Sequence, residues 1–255
     1  MSFPRAILVV FLLLSAAVAY AENTAYVTYE KPADATEKLL KKRLVSTNTV
    51  ESVITFINDN FYLPEQLEFF FGGEEGPLYD SEDNQIFIPY SFVTEVEERF
   101  AEAQYEETGV SADEATMDAI MHTMFHEFAH SAIYMYDLPV IGKEEDAADG
   151  LATVLLIEYF EDGQEIAISA ADLFNLESDD RDALGEEDFW DEHSLDEQRY
   201  YSTLCHVYGS NPKEYNSILE DASFSEERAE LCEEEYEHLS ESWHALLNPH
   251  MKPEN

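Results

Sequence analysis

The chain has 255 residues, 45% hydrophobic and 13% aromatic, and its 13 Lys and Arg stand against 56 Asp and Glu for a formal net charge of -43. That composition is rich enough in apolar residues for a substantial buried core and excludes an intrinsically disordered chain. A surface this acidic repels nucleic-acid phosphates and anionic headgroups, so neither is an expected partner; it suits a solvated exterior in salty or extracellular conditions, or an acidic cleft that favours basic substrates.

Arg5 is the lone early positive charge, Ala6 to Ala19 is apolar and uncharged, and Ala19-Tyr20-Ala21 is a small-x-small site followed by polar Glu22 and Asn23. This is the pattern of a secretory signal peptide over residues 1–21. The run is shorter than the roughly 20 apolar residues that span a bilayer. The expected product is a single domain over 22–255, exported to the periplasm or the exterior and not inserted in a membrane after cleavage.

Residues 22–33 are polar and read as a loose leader. Ala35 to Leu44 reads as a basic helix, and Val50, Val53, Ile54 and Ile57 give the next stretch helical spacing. Leu67 to Phe71 reads as a strand closed by Gly72-Gly73. Gln85 to Tyr90 reads as a second strand, entered by the Asp83-Asn84 bend, with Pro89 ending it or setting it at a sheet edge. Phe92 to Ala103 looks helical, and beyond residue 110 the chain reads as mostly helix with acidic loops between about 161 and 196. The class is α+β, with a small N-terminal sheet and a mostly helical body. Two acidic stretches, Asp80-Ser81-Glu82-Asp83 and Glu177-Ser178-Asp179-Asp180, lack the glycine and spacing of an EF-hand loop. Cys205 and Cys232 are an even pair; in an exported protein they are expected to form one disulfide rather than two buried thiols.

The chemistry centres on Ser111 to Tyr136, which reads as one long helix with a Ser111/Glu114 capping pattern at its start and Pro139 beyond its end. It contains His126-Glu127-Phe128-Ala129-His130. Residues four apart share a helix face, so the two imidazoles can grip one ion, while Glu127, offset by one position, can act on a water as a base. Phe125, Phe128, Ala129, Ala132 and Ile133 bury this helix, and buried histidines are costly unless something satisfies them. Zinc with three protein ligands and an open position is the expected cofactor.

The short connection from Asp137 to Gly142 favours an antiparallel second helix, from about Lys143 to Phe160, which returns beside the histidines. Glu145 on its first turn is the expected third ligand, with Glu144 and Asp146 as competitors. Asp149, one turn on and on the apolar side, either ligates or accepts a hydrogen bond from a ligand histidine. Helix-dipole stabilisation accounts for Glu144 and Glu145 but not for Asp149. His122 precedes His126 by one turn and reads as a neighbour of the site or an exposed residue rather than a ligand. His193, in a polar segment before a Gln198 to Tyr208 helix, is the candidate donor to a developing oxyanion; capping or salt bridging is the competing reading of that segment.

HEFAH followed by Glu145-Asp146-Ala147-Ala148-Asp149 resembles the gluzincin pattern of HExxH and then Glu-x-x-Ala-Asp. It is similar to the membrane CAAX-prenyl endopeptidases, with a shorter gap and without their transmembrane helices. The chain more closely resembles an exported bacterial metallopeptidase family of unknown function, through Tyr79-Asp80, Ile86-Phe87-Ile88-Pro89-Tyr90, Gly142 to Asp149, Asp191 to Arg199, Cys205 with Tyr208-Gly209, Cys232 and Trp243. The resemblance implies a zincin-like fold, a peptide or protein substrate, and an edge strand that pairs with the substrate backbone; Gln85 to Tyr90 is either that strand or an ordinary strand within the sheet. The alternative function is a zinc-bearing binding or interaction module without turnover. Glu127 argues against it, because metal binding alone needs no base at that position.

Overall fold

A computed structural model describes residues 25–253, apart from Asp182. The expected signal peptide lies outside the described residues. Ala25–Tyr29, alternating Val and Thr with aromatics, forms strand β1 instead of a loose leader. It pairs in parallel with β2 (Leu67–Phe71), from Ala25 opposite Leu67 to Tyr29 opposite Phe71. Two helices, α1 (Ala35–Ser46) and α2 (Thr49–Asn60), make the crossover that parallel pairing needs.

β3 (Leu78–Asp80) and β4 (Gln85–Ile88) complete a four-stranded sheet of order β1-β2-β4-β3. β4 runs parallel to β2, and β3 runs antiparallel to β4 at the edge. Of the two readings of Gln85 to Tyr90, the ordinary sheet strand holds and the substrate-pairing edge does not: β4 is paired on both sides, Ile86 and Ile88 are fully buried, and the edge is the short β3. Pro89 ends the strand and precedes α3 (Tyr90–Glu102), where its missing N–H costs nothing.

The helical body consists of α4 (Ala112–Tyr136), α5 (Glu144–Tyr159), α6 (Gly163–Ser178), α7 (Asp196–Ser210), the short α8 (Ile218–Asp221) and α9 (Glu226–Leu247). α4 starts where its capping residue lies: Ser111 Oγ accepts the Glu114 N–H at 3.2 Å. α6 lies where acidic loops were expected. Its buried face of Ala167, Ala170, Ala171, Leu173 and Phe174 carries it, with Asp172 and Glu177 half-buried beside that face; among the described residues, the stretch 179–195 that follows it holds no α-helix.

α4 runs through the centre of the molecule and packs on α2, α3, α5, α6 and β3. Phe125 meets Phe56 edge-on at 5.5 Å, and Phe128 meets Phe61 at 5.2 Å. Each of these buried rings contributes roughly 2–3 kcal/mol. This packing fixes the rotation of α4 about its axis and so the direction its histidines face. Cys205 on α7 and Cys232 on α9 form a disulfide with their Cα atoms 5.0 Å apart. Gly209, one turn on, lets the two helices close up: a Cβ there would stand 2.1 Å from the Cys232 carbonyl oxygen. No described helix is long and apolar enough to cross a membrane.

Candidate metal centre

α4 and α5 are antiparallel neighbours joined by a tight connection that leaves α4 through Asp137 in the left-handed region, φ 52°. This brings the first turn of α5 beside the middle of α4. His126 Nε2 and His130 Nε2 lie 3.2 Å apart. Glu145 Oε2 stands 3.1 Å from the first and 3.4 Å from the second. Among the described residues, these three form a group whose donor atoms all lie within 4.8 Å of one another.

The other side of each ring meets an acid. His126 Nδ1 pairs with Asp149 Oδ1 at 2.8 Å, and His130 Nδ1 with Glu144 Oε1 at 2.8 Å. Both imidazoles are thereby turned with Nε2 toward Glu145. Of the competitors for the third donor, Glu144 lies behind His130, and Asp146 lines a separate polar pocket with Gln198 and Ser202.

Asp149 is itself gripped by Arg199 of α7, Nε to Oδ2 at 2.7 Å and Nη2 to Oδ1 at 2.8 Å. The Arg199 guanidinium lies 3.9 Å over the Phe174 ring. Burial alone would raise the Asp149 carboxyl, but the Arg199 charge and the hydrogen bonds from Arg199 and His126 hold it well below the carboxylate range. Burial likewise opposes the imidazolium of His126, and the Asp149 and Glu145 carboxylates outweigh it, holding the group up at about 10. Glu145 is also opposed by burial and is held far down by hydrogen bonds from His126, His130 and His193. Carboxylates that favour the protonated form of both imidazoles make a triangle that a cation can enter in place of protons.

Glu127 faces the cleft, 5% exposed, with burial pushing its carboxyl up against the opposing pull of His126 and His130. The cleft, about 330 Å³, lies between β3 and the helices; Leu78, Tyr79, Glu127, Tyr134, Glu192 and His193 line it together with the donor triangle. His193 Nε2 stands 3.0 Å from Glu145 Oε2, and Lys143 Nζ donates to the His193 carbonyl at 2.7 Å, tying the loop before α7 to the start of α5. His122 is not exposed: it is buried against Phe174, ring centroids 5.8 Å apart, its Nε2 has no hydrogen-bond partner among the described residues, and burial pushes it down to about 4.

Arg199 is the site residue that reading the motifs undervalued. The available signal was its scarcity, as one of only 13 Lys and Arg in the chain.

An α+β chain with a His-His-Glu triangle beside a buried glutamate has the donor set of a metal-dependent hydrolase. Residues 29–247 match a protein family described as "Putative metallopeptidase", and the chain belongs to that family. At that coarse level the activity is metal-dependent proteolysis and the substrate a peptide or protein. No curated protein and no solved structure matches the chain.

Proposed function

We propose that this chain is an exported zinc metallopeptidase of gluzincin type, with a zincin-like fold, that hydrolyses peptide bonds. The observation that carries the proposal is the triangle of His126 Nε2, His130 Nε2 and Glu145 Oε2, with sides of 3.1, 3.2 and 3.4 Å. Tetrahedral zinc with bonds of about 2.0–2.1 Å spaces its donors about 3.3 Å apart, and two imidazoles with one carboxylate are a ligand set of catalytic zinc sites. When bound, the ion supplies Lewis acidity for a carbonyl and lowers the pKa of water.

The protein's own groups do the rest. Glu127 takes a proton from the attacking water and delivers it to the leaving amine; burial, which raises its carboxyl, makes it a better proton acceptor than an exposed glutamate. His193 donates to the carbonyl oxygen as charge builds there, its loop held by Lys143. Asp149 orients His126, and Arg199 orients Asp149. The outer edge of β3, next to the cleft, takes the backbone of an extended substrate as a further strand. The disulfide and the leader-like N-terminus support export, since such bonds persist in oxidising compartments.

The test compares wild type with Glu127→Gln, both purified without chelator. We expect about one zinc per chain in each, and peptide hydrolysis reduced by about 10²–10⁴-fold in the variant. Absence of tightly bound zinc, or equal cleavage by the two proteins, refutes the proposal.

A further inference from the structure

A second cavity of about 150 Å³ opens off the metal cleft on the α6 side, sharing Pro77, His126, Glu127 and His193 with it. A side chain entering this cavity from a peptide in the cleft belongs to a residue beside the bond presented to Glu127. The far wall is apolar, built from Phe92 of α3 and Leu173 and Phe174 of α6. Apart from Thr123, whose hydroxyl donates to the Ala119 carbonyl at 2.9 Å, three polar groups interrupt it. Arg199 is engaged, its Nε and Nη2 on Asp149 and its plane against Phe174. His122, 3% exposed, is pushed by burial toward its neutral form, and its Nε2 has no partner among the described residues.

The third is Glu177. Among the described residues no side chain makes a hydrogen bond or ion pair with its carboxylate, and burial pushes it up to about 7, with the Arg199 charge only partly offsetting. Arg99, which also bears on it, is held by Glu95 and Asp180. Glu177 is thus a half-buried acid, partly stripped of water and without a side-chain partner among the described residues, a state that a ligand of opposite charge relieves.

We infer that this pocket selects a basic residue, lysine or arginine, beside the scissile bond: the aliphatic stem lies along Phe92, Leu173 and Phe174, and the cationic head meets Glu177. An acidic side chain would face the Glu177 carboxylate, and a purely apolar one would cover Glu177 without pairing it. Long basic side chains carry an apolar stem that such walls cover well. The net charge of -43 draws cationic peptides to the same surface. The inference rests on reading the cleft as a peptidase site and assigns that site's substrate class.

Two measurements separate the inference from the reading beneath it. The first is cleavage of a peptide library by the zinc-loaded protein, wild type and Glu177→Gln. Wild type is expected to enrich Lys and Arg at one position next to the cut. Glu177→Gln should lower kcat/KM on those peptides by on the order of ten- to a hundredfold while leaving peptides with norleucine at that position unchanged, and Glu177→Asp, which keeps the charge, should retain the preference. The second measures binding to the zinc-loaded Glu127→Gln protein of a peptide pair differing only in Lys or norleucine at that position; tighter binding of the Lys peptide should vanish with the added Glu177→Gln change. A Lys preference in binding without any cleavage upholds the pocket and sinks the peptidase reading. Cleavage without basic preference, or a Glu177→Gln loss that is equal on all peptides, overturns the pocket and leaves the peptidase standing; equal binding of the two peptides also overturns it.

Discussion

Replacing Arg199 by methionine keeps a flexible side chain against Phe174 but removes both hydrogen bonds to Asp149. Asp149 is only 7% exposed and would retain the single bond from His126 Nδ1. Removing one partner of a buried charged pair costs about 3–5 kcal/mol, because the other charge is left without compensation. The surviving His126 contact puts the expected loss near the lower end, about 3 kcal/mol. With a urea slope of about 2 kcal/mol/M, the unfolding midpoint of the metal-free protein should fall by about 1.5 M at pH 7. The sign of the pH dependence follows from Asp149. Its native carboxyl is held below the unfolded value of about 3.9, so its contribution is fully present above about pH 5 and is lost as pH falls. The deficit of the variant should therefore shrink by about 1 kcal/mol between pH 7 and pH 3. Adding Asp149→Asn should recover part of the loss at pH 7, since the uncompensated charge is then gone. Urea titrations followed by circular dichroism decide the matter: a loss under about 1 kcal/mol at pH 7, or one that does not change with pH, would refute the argument.

Three further outcomes are expected. Asp149→Asn alone should weaken zinc binding by about 10–100-fold, measured by chelator competition, because His126 loses the acid that fixes its orientation. Replacing Cys205 and Cys232 together by serine should cost about 3.5 kcal/mol of stability from the chain entropy of the loop closed by a sequence separation of 27, read from denaturation with and without reductant. Gly209→Ala should destabilise by about 1–3 kcal/mol, since the added methyl meets Cys232 backbone at 2.1 Å and α7 must move off α9; an unchanged melting temperature would contradict this.

The parts of the site that could be read from the chain are those whose geometry is local. His126 and His130 share a face because a helix repeats every 3.6 residues, and a tight connection returns Glu145 and Asp149 to them. Arg199 escaped because it stands 50 residues from Asp149, and only the packing of α5 on α7 joins them. β1 was hidden for a similar reason: its five residues look like a polar leader until a parallel partner some forty residues away supplies the ladder. α6 was masked by composition, since the acids that flank it drown the small buried face of Ala167, Ala170 and Ala171. The true edge of the sheet went unread because β3 has three residues, too few for any alternation to register.

That short strand has a cost beyond catalysis. An unpaired row of backbone donors and acceptors invites another copy of the chain as readily as it invites a peptide, and exposed edges are where folded proteins begin to associate. Here the row is three residues long and runs straight into Asp80, Ser81, Glu82 and Asp83. Two copies meeting edge to edge would bring those acids together, whereas a single extended cationic peptide would find them welcoming. The acidity that dominates the composition thus acts locally as a gatekeeper, keeping the edge proposed to receive substrate from becoming a seed for self-association.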